Sequence, residues 1–102
     1  MKYRLVVRPE VDDDLLAAET WYDNQRQGLG ARFLQAVREA IASLAENPQR
    51  FRVRHRALQV RWAYPAVFPY RIVFRVLNDT IVIYAVIHSA RRTRAWRNRV
   101  KA

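Results

Sequence analysis

Seventeen arginines, two lysines, two histidines and no cysteine bound the chemistry open to this chain of 102 residues. Without cysteine there is no thiolate metal site, no disulfide framework and no cysteine nucleophile, and two histidines cannot close a zinc site without carboxylate help. Asp12, Asp13 and Asp14 have the composition of a metal triad. Three successive helical positions diverge in direction, however, so these acids are expected to serve a helix dipole and hold no metal. No motif implies a cofactor. His88 reads first as a strand-end residue packed against a terminal helix, with proton transfer as its other role; His55, between Arg54 and Arg56, reads as a solvated turn residue. What remains is anion chemistry, because the planar guanidinium fork pairs bidentately with phosphate or carboxylate. Residues 1–49 carry six basic and eight acidic side chains, a net of −2, whereas residues 50–102 carry thirteen basic side chains against Asp79, a net of +12. Such a field attracts nucleic acid, a nucleoprotein or an acidic protein segment. Replacement of Lys by Arg on an ordinary solvated surface accounts for the arginine excess better than for the asymmetry.

Positioning those cations falls to one domain spanning residues 1–102, since the chain has room for a single core and its 51% hydrophobic and 27% charged composition is that of a folded protein. Residues 3–7 form a β-branched run ended by Pro9. Val11, Leu15, Ala18 and Tyr22 then mark one helix from about Pro9 to Arg26, and Phe33, Val37, Ala40, Ile41 and Leu44 mark a second, stopped by Asn47-Pro48. Both glycines lie in the break at 27–30, which predicts an antiparallel helical hairpin. Trp21 points away from Tyr22, and hairpin packing is favoured for it over an exposed patch. Strand segments follow at Phe51–Val53, Leu58–Tyr64, Val67–Leu77 and Thr80–His88. Trp62 alternates with Val60 and Tyr64 and reads as core. In the third run Phe68, Tyr70, Ile72, Phe74 and Val76 share one face and Arg71 and Arg75 the other, while the last run is apolar on both faces and reads as central. Ala90–Val100 reads as a short, partly exposed helix. The expected class is α+β, in the order β-α-α-β-β-β with a short C-terminal helix: a helical hairpin packed on a mainly antiparallel four-stranded sheet, its other face concave and basic. The longest apolar stretch, Ile81–Ile87, falls far short of the ~20 residues that span a bilayer, and Met1–Pro9 has no apolar signal region, so no membrane contact and a cytoplasmic location are expected.

These residues resemble the RelE/ParE superfamily of type II toxins, and most closely its ParE-like branch. The resemblance rests on Tyr3-Arg4-Leu5-Val6-Val7-Arg8-Pro9-Glu10, Asp14-Leu15, Trp21-Tyr22, Gly28-Leu29-Gly30-Ala31-Arg32-Phe33, Asn47-Pro48, Phe68-Pro69-Tyr70-Arg71-Ile72-Val73-Phe74-Arg75, and Val86-Ile87-His88 with Arg91-Arg92 and Trp96. It covers nearly the whole chain and implies the same fold. ParE-like toxins poison DNA gyrase on cleaved DNA and arrest growth, and by that resemblance Arg91, Arg92, Arg94, Trp96, Arg97 and Arg99 are target-binding residues with no catalyst among them. Five arginines around one tryptophan also suit a contact hot spot. The implied partner is a cognate antitoxin with an acidic, partly helical C-terminal tail. That tail would lie along the hairpin and over the basic sheet face in a toxin–antitoxin hetero-oligomer, touching Trp21, Arg71 and Arg75.

RelE-like relatives instead cut messenger RNA on the ribosome without a metal. By that resemblance Arg71 and Arg92 stabilise the phosphate and His88 transfers a proton, while Tyr64 is placed to stack on a base. The lysine pair of RelE has no counterpart here, since Val60–Pro69 contains no lysine, and RelE's terminal tyrosine is missing near Asn98. A non-toxic family member acting as a binding module is the third reading.

Overall fold

The computed structural model describes residues 3–91 and 94–101. Strand β1 (Arg4–Val7) ends before Pro9, whose φ of −57° feeds directly into helix α1 (Glu10–Gln25). Glu10, Asp12 and Asp13 fill the first turn, where the helix dipole favours them. Gly28, at a φ of +89°, supplies the left-handed residue that reverses the chain into α2 (Leu29–Glu46). Gly30 serves a different need. A β-carbon there would sit 2.5 Å from the Glu19 carbonyl oxygen, so only glycine lets α2 approach α1 this closely, and its N–H donates to the Asp23 carboxylate at 2.8 Å.

After a 3-10 turn at Pro48–Arg50 come β2 (Val53–His55), β3 (Val60–Ala63), β4 (Tyr70–Leu77), β5 (Thr80–His88) and helix α3 (Arg94–Lys101). They form, with β1, a five-stranded mixed sheet in the order β1-β5-β4-β3-β2. The sheet is mainly antiparallel as expected, three of its four pairings being so, but it has five strands where four were expected. The short β2 pairs with β3 as a strand of its own, and β1 runs parallel to β5, with Arg4 beside Thr80 and Val7 beside Ile83. The α+β class, the hairpin and the central place of β5 stand as expected. The boundaries of the 51–53 segment move to Val53–His55, and the extended run expected from Val67 begins only at Tyr70.

Two cores flank the sheet. Val11, Ala18, Phe33, Val37 and Leu44 of the hairpin pack on Ile72, Phe74, Ile81, Ile83 and Val86. At one end of this core the rings of Tyr22, Phe33, Phe68 and Tyr70 meet at centroid separations of 4.9–6.1 Å. Such pairs contribute about 0.5–1.5 kcal/mol each beyond the area they bury. On the opposite face Val60, Val73, Tyr84, Ala85 and Ile87 are closed over by Trp96 and Val100 of α3. The register of β4 on β5 slips between Val73 and Phe74, so that Val73 faces Ala85 but Phe74 faces Ile83. Tyr84 is the extra residue of a bulge, and Tyr84 and Ala85 therefore both turn towards α3. Among the described residues no helix is long and apolar enough to cross a membrane.

Candidate functional site

The open, concave basic face expected opposite the hairpin is occupied along its middle by α3. Trp96 is 1% exposed and Val100 7%. A spacing of four places both on one side of the helix, over the apolar centre of the sheet. Arg99, one turn on from Ala95, reaches past the helix to the hairpin. Its Nη1 and Nη2 donate to the two oxygens of Asp14 at 2.6 and 2.9 Å, and Nη1 also donates to the Tyr84 carbonyl at 3.1 Å, at the bulge. Asp14 in turn accepts the N–H of Val86 at 2.9 Å, beyond the last residue of β1. The hydrogen bonds to Asp14 hold the Arg99 guanidinium above its ordinary pKa. Sequence reasoning assigned Asp14 to the helix dipole and Arg99 to a target. Both are committed to fastening α3 onto α1 and β5.

Beside α3 on the same face, β2, β3 and β4 carry Arg54, Trp62 and Arg71. Trp62 lies opposite Val73, so Arg71 is its diagonal neighbour on the next strand. The Arg71 guanidinium carbon sits 4.1 Å from the Trp62 ring centroid and that of Arg54 5.0 Å from it. The Trp62 Nε1 and the Nε atoms of Arg71, Arg75 and Arg97 are shielded from solvent without a protein hydrogen-bond partner. Trp62, expected in the core, is half-buried at the margin of the second core, with the Arg54 and Arg71 guanidinium groups over its ring.

The hairpin side carries a separate pocket of about 290 Å³ where Asp13, Trp21, Tyr70, His88 and Arg91 meet. His88 pairs with Tyr70 across the strands, and the two rings meet edge-on at 5.3 Å. Its Nδ1 accepts the Ala90 N–H at 3.0 Å, which leaves Nε2 for solvent or a ligand. Burial holds the Tyr70 phenol above its ordinary pKa, Tyr22 adding to the effect and Arg91 opposing it. His88 ends β5 as expected, but neither histidine has the neighbours expected of it. His88 packs on Tyr70, whereas His55 meets the terminal helix, its ring 5.7 Å from that of Trp96 and its Nδ1 accepting the Leu58 N–H at 3.2 Å.

Next to this pocket, a groove of about 580 Å³ runs between the hairpin turn and the 66–69 loop, with Tyr22, Leu29, Val67 and Phe68 as its apolar walls and Arg26 and Arg32 at its rim. Val67 is 95% exposed and holds a left-handed φ of +76°, a costly conformation for a β-branched residue. Nothing in the sequence pattern singled out this loop.

The residues expected to act together are therefore distributed. Arg71 and His88, paired in the nuclease reading, are on opposite faces of the sheet: Arg71 lies against Trp62, and His88 lies with Tyr70 and the hairpin. Arg92 lies outside the described residues, as does the side chain of Arg94. Of the target-binding set, Trp96 is a core residue, Arg99 is paired with Asp14, Arg97 is half-buried 5.9 Å from the Trp96 ring, and Arg91 is exposed beside His88. Of the antitoxin set, Trp21 is 55% exposed on the hairpin, against the hairpin packing favoured for it, because Tyr22 takes the inward position. Arg71 and Arg75 are half-buried on the other face, and Tyr64 stands 47% exposed past the end of β3.

The family model described as the ParE toxin of the type II toxin–antitoxin system, parDE, matches residues 5–93. Among solved structures, a chain described as the chromosomal ParDE toxin–antitoxin system from P. aeruginosa superposes with a TM-score of 0.74. It is 19% identical over 85% of this chain and 96% of that chain, a likeness of fold. No curated protein matches by sequence.

Proposed function

The chain belongs to the ParE family of type II toxins, and on that premise we propose that it arrests growth by holding DNA gyrase on cleaved DNA and is silenced by a cognate antitoxin with an acidic tail. The observation that favours this over RNA cleavage is the division of Arg71 from His88 by the sheet. A transesterification needs a proton-transfer group and a cation on one phosphate, and these two side chains face away from each other. The arrangement suits binding: Arg97 lies on α3 beside Trp96, the core residue that seats the helix, and Arg91 lines the hairpin-side pocket.

For the antitoxin, the groove at the hairpin turn supplies apolar walls with Arg26 and Arg32 beside them. That pattern fits the alternating apolar and acidic residues of a tail that folds on binding. Exposed Val67, strained while free, is the natural residue for such a tail to cover.

The decisive assay titrates the protein into gyrase with relaxed plasmid and ATP and scores linear DNA after denaturation. Linear product is expected, and Arg91→Ala with Arg97→Ala is expected to reduce it at least tenfold while the circular dichroism spectrum is retained. Cleavage of mRNA in a translating extract, with plasmid left intact, would replace gyrase with the ribosome as target.

A further inference from the structure

Arg54, Trp62 and Arg71 form a unit in which the indole leans on the second core while the two guanidinium groups make no ion pair among the described residues. Two guanidinium groups share one indole, so their charges lie within about 9 Å of each other, inside one Debye length at moderate salt. Contact with a ring face offsets part of that repulsion, by about 0.5–2 kcal/mol per pair. Among the described residues neither cation is paired with a carboxylate. The acid of this half, Asp79, sits in the β4–β5 turn hydrogen-bonded to Thr80, and the ion pairs formed among the described residues are Arg8–Glu10 and Arg99–Asp14. Arg71 Nε and Trp62 Nε1 are also left without a partner. Exposed Arg52 and Arg56 on either side of β2, and Arg75 further along β4, extend the charge on this side of the molecule.

The chemistry of the ligand follows from what the unit lacks. Both guanidinium groups lie against Trp62, so the ring offers no free face on which an unpaired base can stack, the feature on which single-strand binding depends. Nor does the unit provide the apolar pocket that anchors a protein hot spot. It presents the outer guanidinium N–H groups of two arginines without a carboxylate partner, the contact that phosphates of a duplex backbone take from a protein. We propose that Arg54, Trp62 and Arg71 bind the phosphodiester backbone of duplex DNA, so that this toxin touches DNA directly and without regard to sequence. The proposal does not depend on gyrase being the target: its test contains no gyrase, and either reading can fail alone.

The test is fluorescence anisotropy of a labelled 20-base-pair duplex across ~50–200 mM KCl. A protein of net charge +10 binds DNA to some degree wherever its cations lie. The comparison is therefore between Arg54→Gln/Arg71→Gln and Arg4→Gln/Arg38→Gln, which removes the same charge from exposed positions on β1 and α2. Loss of two phosphate contacts is expected to make the slope of log K against log salt shallower by about 1.8. Affinity at ~0.1 M salt is expected to fall at least tenfold, against less than twofold for the control pair. Equal slopes for the two double variants would overturn the proposal. A second measurement uses the unmodified protein, whose three tryptophans give three indole N–H resonances. Duplex DNA is expected to shift that of Trp62 and to leave those of Trp21 and Trp96 in place; a shift at Trp21 alone would overturn the assignment. Polyglutamate bound as tightly as the duplex, and equally dependent on Arg54 and Arg71, would reassign the unit to an acidic protein partner.

Discussion

Asp14 and Arg99 show how one carboxylate can decide the place of a helix. Asp14 is 8% exposed and Arg99 21%, and each oxygen of the acid faces a nitrogen of the base. Removing one member of such a pair leaves the other partly buried and unpaired, which costs more than the pair is worth when intact. Arg99→Met is therefore expected to lower the unfolding free energy by about 2–3 kcal/mol, discounted from the fully buried case because Arg99 keeps some solvent. Urea melts measure this, and Trp96 emission is expected to move to longer wavelength as α3 loosens over the second core. Asp14→Asn keeps an acceptor for the Val86 N–H and is expected to cost less. A variant Arg99→Met of unchanged stability, with toxicity lost, would return Arg99 to the surface role first expected of it. The aspartate run Asp12–Asp14 gave no hint of this division of labour, since the partners of Asp14 lie 72 and 85 residues away in sequence.

At the level of elements, the hairpin is the part most sensitive to one added carbon. In Gly30→Ala the new methyl would lie 2.5 Å from the Glu19 carbonyl oxygen and 2.8 Å from Asp23 Cγ, so the helices must part. Overpacking of this kind costs about 1–3 kcal/mol, which for a domain this size lowers Tm by roughly 4–8 °C per kcal/mol. Gly28→Ala meets nothing within 4 Å and suffers only its left-handed φ, a cost of about 1 kcal/mol. Calorimetry is expected to rank Gly30→Ala below Gly28→Ala, and the reverse order would place the constraint in the turn instead of the helix contact. The hairpin was legible in advance because two stripes at helical spacing flank a glycine break, and β4 and β5 because their alternation is long and clear. Less legible were the elements whose meaning depends on distant neighbours. The four residues of β1 read as a strand, yet all four are exposed and nothing in them specifies parallel pairing with β5. Helix α3 reads as polar because Arg94, Arg97, Arg99 and Lys101 outnumber Trp96 and Val100. The four-residue spacing of those two apolar residues was the one sign that it covers a core. Likewise Arg54, Trp62 and Arg71 come from three strands, and only the register of β3 on β4 brings them together.

For the whole molecule the governing quantity is the net charge of +10, with the acidic and basic halves of the chain interlocked rather than segregated. The sheet half carries thirteen basic side chains to one acid, so folding concentrates like charge and the compact state is strained by self-repulsion. Salt screens that repulsion. Raising KCl from ~20 to ~200 mM shortens the Debye length from about 20 to about 7 Å. A gain of about 1 kcal/mol, or roughly 4–8 °C in Tm, is expected from scanning calorimetry across that range. Excluded anions such as sulfate stabilise folded proteins in general, so chloride is the cleaner probe of screening. The contribution of the guanidinium pair is isolated by Arg54→Gln/Arg71→Gln, which removes two like charges that share the Trp62 ring and is expected to flatten the rise. A Tm indifferent to KCl in both proteins would mean that the arginines are compensated within the fold, and the attraction of this face for anions would then lose its physical basis. A rise that the variant flattens would mean that the free toxin stores repulsion which a polyanion relieves on binding. The same stored repulsion would then contribute to the affinity for a DNA backbone and for an acidic antitoxin tail, and the two ligands would compete for the protein through its field even where their contact residues differ.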